Sequence, residues 1–264
     1  MNKIILSVKE LSIVFGGLTA VSGFNCELRE GELVGLIGPN GAGKTTVFNM
    51  LSGLYTPTSG LITFRDRIGV VRSIGGKSPA QLNQLGIART FQNIRLFNNL
   101  SVEDNVRIAL HSSREISPLD ALFRTTLFHA DEQRMREKTG GLLQLFHIEH
   151  KKFELARNLP YGEQRKLEIV RALAAGPRLL LLDEPAAGMN PQETRELMEL
   201  ISFIRRQFHL TILLIEHDMH MVMGICERLV VLDYGRIIAE GPPTQIRGNP
   251  AVIKAYLGNE AVGE

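Results

Sequence analysis

The sequence predicts an α/β protein with a mixed, mostly parallel central sheet, an inserted helical subdomain and a smaller antiparallel β part. Three observations predict it. Short apolar runs of strand length, Leu33–Ile37 and residues 178–182 and 210–215, alternate with stretches of helical period, the order that gives a parallel sheet covered by helices. Between about 101 and 157 the strand signals stop and helical ones replace them. Near the end, residues 229–232 and 237–239 flank Asp233-Tyr234-Gly235-Arg236, which reads as a strand hairpin.

Taken in order, residues 4–8 and 24–28 read as strands, and Leu33–Ile37 runs into a Gly-rich turn and a helix over Lys44–Leu51. Residues 61–64 resume as strand, and 65–79, with Gly75-Gly76 and scattered basic residues, reads as an irregular insertion. Ser101 and Glu103 open the helical block with good N-terminal chemistry, and residues 130–146 carry a helical apolar period. The α/β order then returns. Helices are expected over 163–175, Pro191–Gln207 and 218–224, with short helices over 243–258.

Bulk properties narrow the function classes. The 264 residues are 44% hydrophobic and 22% charged, ordinary for a chain that buries a sizeable core. A net charge of +2, no Trp and four Tyr give no basis for binding nucleic acid by massed charge or base stacking. Cys26 and Cys226 lack CxxC spacing and read as buried, reduced thiols. Lys9 and Glu10 interrupt the first apolar run, and no stretch nears the ~18 apolar residues of a spanning helix. The expectation is a chain that neither is secreted nor crosses a membrane.

Gly38-Pro39-Asn40-Gly41-Ala42-Gly43-Lys44-Thr45 matches G-x-x-x-x-G-K-[ST] between a predicted strand and a predicted helix. Glycines let successive backbone N–H groups face phosphate oxygens, and the helix N-terminus adds partial positive charge. Lys44 is expected to reach the outer phosphates and the Thr45 hydroxyl to hold Mg²⁺, with Thr46 a second nearby hydroxyl. Residues 179–184, four leucines then Asp183 and Glu184, put two carboxylates at the carboxyl edge of a buried strand, where ligands of open α/β sheets bind. Asp183 is placed to hold Mg²⁺ and Glu184 to polarise an attacking water, although an acid pair after a strand also serves turns and helix caps.

Further motifs make the resemblance specific. Phe15-Gly16-Gly17, Arg89-Thr90-Phe91-Gln92, Asn158-Leu159-Pro160-Tyr161-Gly162-Glu163-Gln164-Arg165, Ala187-Gly188-Met189-Asn190 and Ile215-Glu216-His217-Asp218 follow one another in the order of an ABC-type ATPase. The chain resembles that family along its whole length. The resemblance implies one ABC ATPase domain over 1–264, with a helical subdomain over about 95–165. It implies ATP and Mg²⁺ as cofactors and ATP hydrolysis as the activity. Gln92 would reach metal and water, His217 the γ-phosphate, and the Phe15 ring the adenine. Residues Leu159 to Glu163 would form the signature that faces the nucleotide of a second ATPase chain. Here the sequence departs from the usual LSGGQ pattern: Pro160 stands for Ser, Tyr161 for Gly and Glu163 for Gln. Asn190 stands where an acid is usual and also suits a helix N-cap before Pro191.

Phe15-Gly16-Gly17-Leu18, Leu159-Pro160-Tyr161-Gly162, Pro185-Ala186-Ala187-Gly188-Met189-Asn190-Pro191 and Ile215-Glu216-His217-Asp218-Met219, with the ending from Asn249 to Gly258, are most similar to the ATP-binding subunits of bacterial branched-chain amino acid importers. That group implies transmembrane permease partners, a homodimer or a heterodimer with a sister ATPase, a periplasmic binding protein reached indirectly, and no nucleic acid. The place would be cytoplasmic, peripheral on the inner face of the cell membrane. Alternatives are the ATPase of a lipopolysaccharide exporter or of a urea or amide importer, and a non-transport ABC ATPase.

Overall fold

Residues 3–111 and 126–260 are described by the structure, a computed structural model. They divide into two compact units, Met1–Gln92 with Arg178–Glu264, and Asn93–Pro177.

The first unit holds both sheets. Its six-stranded sheet has the order β10-β9-β3-β8-β7-β6, where β3 is Leu33–Ile37, β6 Ile87–Arg89, β7 Leu179–Asp183, β8 Thr211–Ile215, β9 Arg228–Asp233 and β10 Arg236–Gly241. All pairings are parallel except β9 with β10. Every residue of β3, β7 and β8 is buried, so these strands read as unbroken apolar runs and not as alternation. The antiparallel sheet has the order β2-β1-β4-β5, from β1 (Ile4–Phe15), β2 (Leu18–Arg29), β4 (Ser59–Arg65) and β5 (Val71–Ser73).

β1 and β2 are longer than the sequence predicts, and the reason is local. Glu10 takes φ 49° and the β1–β2 register shifts between Val8 and Leu11, so a bulge absorbs the polar pair that breaks the alternation. Side chains close the gap: the Glu10 N–H donates to Asn25 Oδ1 at 2.9 Å, and Asn25 Nδ2 donates to Glu10 Oε1 at 2.6 Å. The stretch 65–79 is likewise more ordered than expected. It contains β5 and opens α2 (Pro79–Leu85), which Ser78 and Gln81 cap reciprocally.

Helix α1 (Lys44–Leu51) follows β3 with the bounds the sequence predicts. Its Val47, Phe48 and Leu51 join Leu36, Phe24, Leu28 and Phe64 in one buried cluster that ties helix and both sheets together. Helix α6 (Pro191–Gln207) also has its predicted bounds: Asn190 and Glu193 form a capping box, with Pro191 in the first turn. The remaining helices of this unit are α7 (Met219–Ile225), α8 (Pro243–Arg247) and α9 (Pro250–Glu260). Cys26 and Cys226 are free and buried, and burial pushes both thiols up to about 12.

The second unit contains α3 (Val102–His111), α4 (Thr126–Leu145), two single 3₁₀ turns and α5 (Tyr161–Ala174). Val102, Val106, Leu143 and Leu167 are fully buried in it. Asn105 is buried too, donating to the Phe97 and Ser101 carbonyls at 3.1 and 3.0 Å. No helix among the described residues is long and apolar enough to cross a membrane.

Candidate functional site

The loop between β3 and α1 is shaped by glycines that no other residue replaces. Gly38 has φ 148°, and a Cβ there would stand 2.0 Å from the Leu232 carbonyl oxygen; Gly43 has φ 101°, with the Ala20 oxygen 2.9 Å from any Cβ. The backbone can therefore fold tightly against β9 and β2 and still present the start of α1. Residues Asn40 to Thr46 line one face of a cleft of about 390 Å³, and Glu184, Tyr234 and the β2 residues Leu18, Thr19 and Ala20 line the rest. Thr45 is exposed and Thr46 half-buried.

Lys44 is 9% exposed, and its Nζ donates to the Gly38 and Pro39 carbonyls at 2.6 and 2.9 Å. Burial lowers its pKa, while the nearby Glu184 charge opposes that. The ammonium is thus satisfied by its own loop, through bonds that an incoming anion could replace.

The acidic pair sits at the carboxyl edge of β7. Asp183 is buried, and Arg89 Nη2 donates to its Oδ2 at 2.6 Å. Glu184 adopts φ 44°, unusual for a residue with a side chain, and its N–H donates to Ile215 at the end of β8 at 2.9 Å. That backbone turn brings the carboxylate into the cleft. Gln92 Nε2 donates to Glu184 Oε2 at 2.8 Å, and His217 Nδ1 lies 3.7 Å from the same oxygen with its side chain 67% exposed. Four residues expected to act together, Lys44, Gln92, Glu184 and His217, are therefore gathered in one unit from four separate segments.

Phe15 stands at the end of β1, 43% exposed, with its ring edge-on to Tyr55 at a centroid distance of 5.2 Å. The neighbouring hairpin, not Phe15 itself, supplies the cleft wall at Leu18, Thr19 and Ala20.

Leu159 to Glu163 lie in the second unit. Leu159 is buried, Pro160 is the N-cap of α5 and makes no side-chain cap bond, and the helix starts at Tyr161. Glu163 is occupied: Lys151 Nζ donates to its two oxygens at 2.8 and 2.6 Å. Tyr161 Oη accepts from Arg165 Nη2 at 3.1 Å, and the buried Arg165 pairs with Glu168 at 2.8 Å. The amides of the first turn are what this segment offers an anion, less the one Pro160 lacks.

Sequence reasoning gave no role to three residues that shape the site. Glu216, 1% exposed, accepts from the Ala186, His217 and Asp218 amides at 2.8, 3.1 and 3.4 Å, clamping the segment after Glu184 to the one that bears His217. Burial raises its pKa despite those bonds. An acid directly after a buried apolar strand was the available signal, as it was for Asp183. Tyr256 of α9 has a buried hydroxyl. Burial raises its pKa, and the Gly38 N–H opposes that. No local pattern announces this approach of the tail to the loop. The third residue is Arg89.

Comparison with known proteins places the chain in a family. The ABC transporter family profile covers residues 21–187. The chain belongs to the ABC transporter ATP-binding family. A second profile, the branched-chain amino acid ATP-binding cassette transporter, covers residues 236–262 of this ABC ATPase. The chain is 45% identical over 98% of its length and 99% of the relative's to LivG of Escherichia coli K12, a high-affinity branched-chain amino acid transport ATP-binding protein. It is 33% identical, over 97% of its length and 98% of the relative's, to LptB of the same organism, a lipopolysaccharide export system ATP-binding protein. Among solved structures, the ADP conformation of MJ1267, an ATP-binding cassette of an ABC transporter, superposes with a TM-score of 0.83 at 30% identity, covering 97% of this chain and 99% of that one. The fold is that of an ABC ATPase, and ATP is the nucleotide it uses.

Proposed function

We propose that this ABC ATPase is the ATP-hydrolysing subunit of a branched-chain amino acid importer, acting on transmembrane permease subunits at the cytoplasmic face of the membrane. The observation that supports the catalytic half is the meeting of Gln92, Glu184 and His217 at one carboxylate oxygen beside the Lys44 loop. The cargo follows the 45% identity with LivG and the matching tail. The chain acts as one ABC ATPase domain whose helical subdomain, about 95–165, carries the signature.

Lys44 exchanges the Gly38 and Pro39 carbonyls for phosphate oxygens, helped by amides of residues 40–46 and the dipole of α1. Phe15, exposed at the strand end, offers a face to adenine. Thr45, Gln92 and Asp183 provide the hard oxygen donors that suit Mg²⁺. Among the described residues no cluster of three His, Cys, Asp or Glu could hold a metal alone, which fits an ion that shares its ligands with substrate phosphates. When bound, Mg²⁺ would neutralise charge on the phosphate oxygens. Glu184 takes the proton of the attacking water, and Gln92 and His217 fix the orientation of its carboxylate. The amides at residues 159–163, with Pro160 contributing none, face the nucleotide of a second ATPase chain, identical or a sister, so two chains form two shared sites.

The test is uptake of labelled leucine, isoleucine and valine into vesicles holding the partner permease and binding protein. Uptake should require ATP and this chain, and stop with Lys44→Ala. Uptake that persists without the chain would contradict the assignment.

A further inference from the structure

Arg89 occupies the hub of the nucleotide side of the fold. It ends β6, three residues before Gln92, with its side chain 6% exposed. Nη2 donates to Asp183 Oδ2 at 2.6 Å, while Nη1 donates to Asn49 Oδ1 and Ser52 Oγ, each at 2.7 Å. Asn49 lies in α1 and Ser52 caps it. The guanidinium also lies over the rings of Phe48 and Phe91, 5.7 and 5.1 Å from their centroids. One planar group thus joins the helix behind the phosphate loop, the buried acid of β7 and the segment leading to Gln92.

The chemistry of the pair argues for more than stability. A buried ion pair adds little net free energy over an apolar replacement, because both partners lose their hydration. What such a pair does fix is geometry, and here the fixation is tight: two nitrogens serve three partners, and two aromatic rings lie close to the group. Arg89 engages Oδ2 alone, and the carboxylate has no other hydrogen-bond partner among the described residues. The orientation of the other oxygen is therefore set by Arg89.

We propose that Arg89 is a positioning residue: it orients the Asp183 carboxylate for Mg²⁺ and links that orientation to α1 and to the segment bearing Gln92. The inference rests on the reading of Asp183 as a magnesium-holding residue. A lysine cannot substitute, since a single ammonium on a shorter reach cannot span Asp183, Asn49 and Ser52 together.

The test uses the full chain and a fluorescent ATP analogue, titrated in EDTA and then with Mg²⁺, for wild type, Arg89→Lys and Asp183→Asn. Arg89→Lys should bind the analogue in EDTA within about twofold of wild type. Its half-saturating Mg²⁺ concentration should rise at least ~5-fold, with kcat falling more than KM changes. Asp183→Asn should raise the Mg²⁺ requirement as well. If Asp183→Asn does so and Arg89→Lys keeps the wild-type requirement, even with a lowered Tm, Arg89 is merely structural and the proposal is overturned. If Asp183→Asn has no effect, the magnesium reading itself fails and takes the proposal with it. Should Arg89→Lys not fold, the Asn49→Ala, Ser52→Ala double variant keeps the ion pair but frees the guanidinium. A raised Mg²⁺ requirement there supports the proposal, and an unchanged one overturns it.

Discussion

In the proposed function, the phosphate loop and the signature segment meet the same demand, presenting amides to an anion, in opposite ways. In the loop at 38–46 the backbone does the work. Gly38 and Gly43 sit at positive φ against neighbouring carbonyls, and the one side chain that matters, Lys44, is held in reserve by two loop carbonyls. At 159–163 the side chains have changed and become committed elsewhere: Pro160 brings no N–H, Glu163 is taken by Lys151, and Tyr161 is engaged by Arg165. A site built on backbone conformation leaves almost no freedom in sequence. One built on a helix N-terminus tolerates substitution as long as the helix still starts in the same place.

The contrast is broken most directly at Lys44. Lys44→Ala removes a charged donor that the glycine cradle cannot replace, at about 2–3 kcal/mol, so ATP affinity should fall ~30–150-fold by calorimetric titration. An affinity within twofold of wild type would mean that the amides alone hold the phosphates. Gly38→Ala comes next. Its Cβ would collide with the Leu232 oxygen at 2.0 Å, and a loss of about 3 kcal/mol should lower Tm by roughly 5–10 °C. A Tm equal to wild type would show that the loop has room to shift. At the other pole, Glu163→Ala removes only a partly exposed ion pair with Lys151. Less than ~1 kcal/mol is at stake, so Tm should move by no more than about 3 °C. ATP affinity of the isolated chain should not change. A larger loss would give the signature side chain the kind of role assigned here to the loop.

The same distinction explains what could be read in the sequence. Strand β3, its loop and α1 were legible because a continuous apolar run, obligatory glycines and a helix start are all local. The same holds for α6, with Asn190 and Pro191 at its head. The bulge that prolongs β1 was hidden, since Glu10 is accommodated only through Asn25 on the neighbouring strand. Helix α2 had a readable cap in Ser78 and Gln81, but the surrounding glycines and basic residues masked it. The three-residue β6 depends on pairing with β7, some ninety residues away. The titrating residues of the site were visible as motifs, whereas the residues that aim them were not. Arg89 meets Asp183 across 94 positions, and Glu216 meets Ala186 across 30. Such partnerships are set by the sheet order, which no window of sequence contains.

We propose that hydrolysis turns on Glu184, on which Gln92 and His217 converge. Glu184→Gln preserves size and hydrogen bonding but removes the carboxylate proposed to accept the proton. The decisive measurement is single-turnover ATP hydrolysis by Glu184→Gln, with ATP affinity determined on the same preparation. Hydrolysis should slow by ~10²-fold or more while affinity stays within about twofold. Hydrolysis at the wild-type rate would contradict the account.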